Sequence, residues 1–250
     1  MKERWSRILT AVNAAKEMTV ADLSRRFSVS EVTIRKDLIE LERQGLLLRR
    51  HGSAVALEQP AIPPFGIRSR LESDEKEAIA RAAAELIHDG DSVLIDAGTT
   101  PMAVAVQLKP KKITVVTNSL AVGLELSDSP ATVSLACGEL IAGRNGVAGP
   151  DTEHYLERIR VNWAIIGASG FRPDQGFSTS SAIEAATKKK MIEAAHKVML
   201  VVDHSKFARI KPALFAAFDR IDTVVTSVKT PPAVLRDLEA RQIQVIAVEC

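Results

Sequence analysis

Cysteine is nearly absent from this sequence. The 250 residues contain two, Cys137 and Cys250. That is too few for a disulfide framework or a thiolate zinc site. Long apolar runs are missing as well: none reaches the ~18 residues that cross a bilayer, which excludes a membrane span. The first residues, MKERWSRILTAVNAAKE, scatter charge where a secretory signal carries an apolar stretch. There is no internal repeat and no low-complexity tract. The five histidines, His51, His88, His154, His196 and His204, share no metal-binding spacing. The expectation is a reduced, cytoplasmic protein with no metal and no cofactor.

Net charge is also scarce. The chain has 33 Lys+Arg against 31 Asp+Glu, a formal balance of +2 that by itself does not suggest nucleic acid. Hydrophobic residues make up 46% and charged residues 26%, the composition of a globular protein with a sizeable core. The length fits one large domain or two unequal ones. The charge is not spread evenly, however. Residues 1–60 hold 11 Lys/Arg and 8 Asp/Glu, and the remainder holds 22 and 23. The whole positive excess lies in the first quarter, clustered at Arg25-Arg26, Arg35-Lys36 and Arg49-Arg50-His51.

Residues 1–56 read as a winged helix-turn-helix. A first helix runs from about 4 to 15, carrying Ile8, Leu9 and Val12 at helical spacing. Thr19 caps a second, short helix from Val20 to Phe27, with Asp22 placed as in a capping box. Ser28-Val29-Ser30 forms a tight turn. Ser30 caps a third helix, Glu31 to about Gln44, whose stripe of Ile34, Leu38 and Leu41 is buried. Gly45 ends it. Val32, Thr33, Arg35 and Lys36 point away from that stripe, in the first turns of the helix that such a motif presents to the major groove. Arg35 and Lys36 suit guanine or phosphate, Val32 and Thr33 a thymine methyl, and Ser30 with the helix-start N–H groups a phosphate. Asp37 reads as a structural partner for a base. Residues Leu46–Val55 then read as two short strands about a basic turn, with Arg49, Arg50 and His51 reaching backbone or minor groove.

Three stretches, Val29-Ser-Glu-Val-Thr-Ile-Arg-Lys-Asp-Leu38, Leu41-Glu-Arg-Gln-Gly45 and Arg50-His-Gly52, closely resemble the N-terminal signature of the DeoR family of bacterial transcriptional regulators. The family's wing usually has a second glycine where this chain has Ser53.

Residues 57–74 hold Pro60, Pro63, Pro64 and Gly66 and read as a semi-stiff linker. Within it, Phe65 and Arg68 fit the family's habit of an aromatic and an arginine. From 75 to 250 the pattern changes to α/β. Candidate strands are Ser92–Ile95, Ile113–Val116, Thr132–Ala136, Trp163–Ile166, Val198–Val202, Thr223–Thr226 and Gln244–Val248. Candidate helices are Glu75–His88, Met102–Leu108, Leu120–Leu126, Ala182–His196 and Val234–Arg241. Alternation of this kind predicts a mainly parallel sheet covered by helices.

Polar groups that bind ligands in such sheets gather at the carboxyl ends of strands. Candidate ends are Asp96-Ala-Gly98-Thr99-Thr100, Thr117-Asn118-Ser119, Cys137-Gly138, Gly167-Ala-Ser-Gly170, Gly176-Phe-Ser-Thr179 and Asp203-His-Ser-Lys206. Thr99, Thr100 and the adjoining helix N–H groups suit a phosphate. Asp96 could accept from sugar hydroxyls or order its loop.

The order of these motifs is similar to that of the family's C-terminal sensor domain, whose fold resembles ribose-5-phosphate isomerase and which mostly senses phosphorylated sugars. Asp96, Gly98, Thr99 and Thr100 stand at its D-x-G-T-T loop, and Thr117, Asn118 and Ser119 at its T-N-S. Gly138 stands at the second of its paired glycines, with Cys137 replacing the first. Gly149 and Gly176 match single glycines, Glu184 and Lys188 match an acid and a base on one helix, and Asp203, Ser205 and Lys206 match its D-x-S-K. Asn162 stands where the family often has Asp.

The resemblance implies a repressor of carbohydrate genes. It would bind double-stranded operator DNA as a homodimer or homotetramer and respond to a phosphorylated sugar. The alternative is a sugar-phosphate isomerase-like enzyme joined to a DNA-binding module, with Glu184, Asp203 and Lys206 as its reactive groups.

Overall fold

The computed structural model describes residues 2–57 and 65–250, with the side chains of 2 and 3 left undescribed. The chain divides into two compact units, residues 1–71 and 72–250.

The first unit runs α1 (Lys2–Ala15), β1 (Glu17–Thr19), α2 (Val20–Phe27), α3 (Glu31–Arg43), β2 (Leu47–Arg50), β3 (Ser53–Ala56) and α4 (Phe65–Arg68). Thr19 and Ser30 cap α2 and α3, accepting from the backbone N–H groups of Asp22 and Thr33. Each satisfies one of the donors a helix start leaves open. Ser28 between them takes a left-handed φ of 52°, which makes the turn tight. Ile8, Val12, Leu23, Ile34, Leu38 and Leu41 form one core with Leu46 and Leu47. The wing is antiparallel, Arg50 facing Ser53 across Gly52, whose φ is 74°. β1 adds a third strand on the other edge of β3.

Two features of this unit differ from the sequence expectation. The span 57–74 is not linker throughout. Phe65–Arg68 is helical, and Ile67 joins the first unit's core. The prolines at 60, 63 and 64 lie outside the described residues. Ser53 does not loosen the wing either: its φ is not positive, and its hydroxyl donates to Glu17 Oε1 at 2.5 Å.

The second unit begins with α5 (Ser73–Glu85), so 73 and 74 are helix too, followed by β4 (Ser92–Ile95), α6 (Thr99–Leu108), β5 (Thr114–Thr117), α7 (Leu120–Leu126) and β6 (Thr132–Leu135). A hairpin follows, β7 (Glu139–Ile141) and β8 (Gly146–Ala148), then α8 (Pro150–Glu157), β9 (Val161–Ile166), β10 (Gly170–Arg172) and β11 (Gly176–Thr179). The chain ends with α9 (Ala182–Glu193), β12 (Ala195–Val201), β13 (Ala213–Ala216), β14 (Thr223–Ser227), α10 (Pro232–Ala240) and β15 (Gln244–Val248).

Seven strands form one parallel sheet in the order β15-β14-β12-β9-β4-β5-β6. Residues alternate between its faces. Leu94, Val116, Ala164, Ile166 and Leu200 pack with Phe171 and Phe177 on one side. Val93, Ile95, Val115, Ile165 and Met199 pack with Ile79, Ala83 and Val104 on the other. The chain builds outward from β4 through β5 to β6, then returns to lay β9 on β4's other side. The strand order therefore reverses between β4 and β9, where open α/β sheets hold their ligands.

Gly176–Thr179 is not a strand end of this sheet. It is β11, the middle strand of a separate antiparallel sheet β10-β11-β13. This small sheet and the β7–β8 hairpin were not anticipated, because strands of three or four residues are too short to show a period of alternation.

Candidate functional sites

In the first unit the candidate DNA contacts stand on α3 and the wing. Val32 is 59% exposed although apolar, and Arg35 and Lys36 are exposed beside it. Arg35 bonds Glu31 at 2.7 Å, a solvent-exposed i,i+4 pair. Such pairs are worth only a few tenths of a kcal/mol, so a phosphate or base can displace Glu31. Ser30 and Thr33 are 2.9 Å apart through their hydroxyls, closing the helix start. Arg50 and His51 are exposed at the wing tip. Arg49 differs: its guanidinium and its own N–H both hold Glu42, each at 2.9 Å, so it fastens wing to helix. Asp37 is buried and takes Arg4 Nε at 2.5 Å and Trp5 Nε1 at 2.7 Å. It orients α3 from behind.

In the second unit the strand ends at the sheet's switch point converge. Asp96, at the end of β4, bonds the Lys188 ammonium from α9 and accepts from the Gly167 N–H at 3.1 Å, at the end of β9. Lys188 also donates to the Gly167 carbonyl at 2.9 Å and lies 5.2 Å from the Phe215 ring centroid. Gly98 lets the next turn approach: a Cβ there would meet Pro101 at 2.7 Å. Thr99 is half-buried, Thr100 buried, and both open α6.

One helical turn before Lys188, Glu184 accepts from the Thr179 hydroxyl at 2.8 Å and binds Arg144 Nε at 2.8 Å. Arg144 sits in the β7–β8 turn and is itself buried. The T-N-S motif fixes that hairpin. Asn118 donates its amide to the Val147 carbonyl at 2.9 Å, and its own carbonyl accepts from the Val147 N–H at 2.8 Å. Thr117 and Ser119 are fully buried and committed: Thr117 donates to the Ile95 carbonyl and Ser119 caps α7. Only Asn118 Oδ1 of this motif is left buried without a hydrogen-bond partner.

Gly138 and Gly176 serve packing. A Cβ at Gly138 would lie 2.0 Å from Thr152 Oγ1, and one at Gly176 would lie 2.1 Å from the Ala216 carbonyl oxygen.

Asp203 follows β12 and is wholly buried. It accepts from Ser205 through N–H and hydroxyl and lies 3.1 Å from Lys206 Nζ. Burial raises its carboxyl pKa, but Lys206 and Lys76, with the Ser205 hydroxyl, outweigh that and hold it below the usual value. The next residue, His204, donates its N–H to Glu75 Oε1 at 2.7 Å and places Nδ1 2.6 Å from Glu75 Oε2. The buried Glu75 also accepts from Ser227. The loop carrying Lys206 is thus tied to the first turn of α5. Glu72, Glu75 and His204 lie close enough for a metal ion, and in this structure the Glu75 oxygens are engaged by His204 and Ser227.

Sequence reasoning did not identify Arg144 or Glu75. The Gly143-Arg144-Asn145-Gly146 turn was a readable hairpin signal; nothing local marks Glu75.

Comparison with known proteins agrees with this two-part layout. Residues 4–60 match the DeoR-like helix-turn-helix domain and residues 71–228 the DeoR C terminal sensor domain. The chain is 36% identical over 244 residues to the glycerol-3-phosphate regulon repressor of Escherichia coli strain K12, covering 97% of each chain. It is 34% identical over 248 residues to the uncharacterized regulator YulB of Bacillus subtilis strain 168, covering 98% of this chain and 96% of that one. A solved ribose 5-phosphate isomerase from Methanocaldococcus jannaschii overlaps 54% of this chain and 55% of its own, at 15% identity and a TM-score of 0.38. The chain belongs to the DeoR family of DNA-binding transcriptional regulators.

Proposed function

We propose that this protein is a repressor of carbohydrate-metabolism genes whose grip on operator DNA is released by a phosphorylated sugar. The observation that carries the DNA half is the exposed face of α3, where Val32, Arg35 and Lys36 stand clear of a core that holds the helix rigidly. Ser30, Thr33, Arg50 and His51 complete the contact surface, with Arg49 mainly supporting the wing. So small a module buries little surface, and a homodimer or homotetramer reading paired half-sites supplies the rest. Relatives named as repressors of a glycerol-3-phosphate regulon support both the sign of regulation and the class of effector.

The effector occupies the crevice at the switch point, framed by Asp96, Gly98, Thr99, Thr100, Asn118, Glu184 and Lys206. Thr117, Ser119, Gly138, Gly176 and Asp203 shape it from behind. A ligand acts only through different affinities for two states. The tie from the Lys206 loop through His204 to Glu75 leads to α5, the helix that follows the boundary between the units. The protein acts without catalysis. The relatives named as a repressor and a transcriptional regulator support that reading.

The test is a mobility shift with the purified protein and DNA from beside its own gene. The expected result is a specific complex that weakens steeply with salt and dissociates with a sugar phosphate but not the parent sugar. No specific complex would refute the repressor. A complex indifferent to every sugar phosphate would refute the effector.

A further inference from the structure

The two strands of the wing are held differently. β3 lies between β1 and β2, and its side of the hairpin is tied to residues 16–20. The Gly52 carbonyl accepts from the Val20 N–H at 2.8 Å, the Ser53 hydroxyl donates to Glu17 at 2.5 Å, and the Ala56 N–H donates to the Lys16 carbonyl at 2.8 Å. β2 is the outer edge of that sheet. Leu47 anchors its start in the core, but Leu48, Arg49 and Arg50 beyond it are exposed. Among the described residues, the polar tie from this stretch to α3 is Glu42. One carboxylate oxygen accepts the Arg49 backbone N–H and the other accepts Arg49 Nε, both at 2.9 Å. That N–H faces away from β3, an edge-strand donor with no strand to receive it.

Glu42 follows Arg35 on α3 by about two helical turns and so lies on the same face. A carboxylate on a face that meets DNA repels phosphate, and its place there calls for a reason. An exposed guanidinium and an outward backbone N–H are the ordinary groups by which proteins hold phosphate without reading sequence. Glu42 occupies both of them on Arg49 at once. The Arg35–Glu31 pair is weaker in kind, one bond between two flexible side chains. Here both oxygens are used, and one sits on a strand N–H that cannot rotate away.

We propose that Glu42 is a specificity-determining residue of the DNA-binding surface: it withholds Arg49 from phosphate and fixes the pose of the wing from which Arg50 and His51 reach DNA. This rests on the reading of α3 and the wing as the operator-binding surface. Sequence-independent affinity grows with each phosphate a protein neutralises, so masking one cation lowers affinity for all DNA alike. A wing already fixed loses less freedom when it settles on the operator. The ratio of specific to non-specific affinity therefore rises, although a negative charge has been placed at the surface. Glu42 acts through Arg49 and the strand that carries it, and is a positioning residue.

The test compares the full-length wild type, Glu42→Gln, Arg49→Gln and the double variant in mobility shifts over a salt series. The probes are DNA from beside the protein's own gene and an unrelated duplex of equal length. Glu42→Gln should bind the unrelated duplex about three- to tenfold more tightly at about 0.1 M salt, with a salt slope steeper by about 0.9. Its preference for the specific DNA should fall about fivefold or more, with its thermal midpoint kept, since an exposed pair adds little stability. The double variant should lack the gain on unrelated DNA, because no cation is freed. A gain of equal size with Arg49 absent would make Glu42 a bulk charge and overturn the proposal. So would an unchanged preference in Glu42→Gln, or parallel losses on both duplexes with a lowered thermal midpoint. A wild type that prefers neither duplex would refute the repressor reading instead, and the gain on the unrelated duplex would still decide whether Glu42 withholds Arg49.

Discussion

The two units place their candidate functional residues in opposite ways. In the first, Val32, Arg35, Lys36, Arg50 and His51 stand in solvent on a small capped scaffold, and their ion pairs are weak. In the second, Asp96, Glu184, Lys188 and Asp203 are largely withdrawn from water; Asp96 and Lys188 hold each other and Glu184 holds Arg144 from distant parts of the chain, while Asp203 holds Lys206 three residues on. A surface that reads a long polyanion needs reach and screening-sensitive charge. A pocket that recognises a small anion gains from fixed, desolvated groups that need not reorganise on binding. The difference teaches that one charge type can be spent on encounter in one unit and on selectivity in the other.

That contrast can be broken at the level of folding first. Gly176→Ala puts a Cβ against the Ala216 carbonyl at a φ of 111°. It should cost the sensor unit on the order of 3 kcal/mol or more. Ile34→Ala empties the smaller core and should cost about 2–5 kcal/mol, abolishing DNA binding. Residue-resolved hydrogen exchange checks both, since each loss should fall in its own unit. Equal losses in both units from either variant would show that their stabilities are not separate.

Arg35→Ala sharpens the comparison at the surface. It should cost about 1–3 kcal/mol of discrimination between operator and mismatched DNA if Arg35 reads a base. A uniform loss on all sequences would assign it to phosphate instead. Arg50→Ala should lower the slope of log affinity against log salt by about one. Arg49→Ala should change that slope less, because its guanidinium is held by Glu42.

The smallest expected effect concerns pH. The carboxyl pKa of Asp203 is depressed in the folded state, so its contribution is full above the ordinary carboxylate range of about 4. It is lost as pH falls through the lower folded value. Denaturant midpoints measured across that range should fall on acidification in the wild type. They should fall less in Asp203→Asn, which lacks the titrating group. Equal slopes would show that Asp203 does not couple to folding.

Legibility follows the same division. The span of α2, the start of α3, the wing and the structural role of Asp37 were all readable, because caps, a left-handed turn and helical spacing act within a few residues. The parallel strands were readable from their β-branched runs, within one to three residues at each end. Arg144 and Glu75 were not. Their significance is a meeting of segments separated by tens of residues, and no local pattern encodes which loops meet. Gly138 and Gly176 were legible as special positions, but the packing that requires a glycine there was not. The bodies they make room for, Thr152 and the Ala216 carbonyl, come from elsewhere in the chain.

The sequence by itself determined the helix-turn-helix, the alternation that makes a parallel sheet, and the motifs at its strand ends. Caps, periodicity and glycine punctuation are short-range physics. Only the tertiary structure decided which of those polar groups pair with one another. That depends on strand order, and strand order is set by burying both faces of one sheet at once.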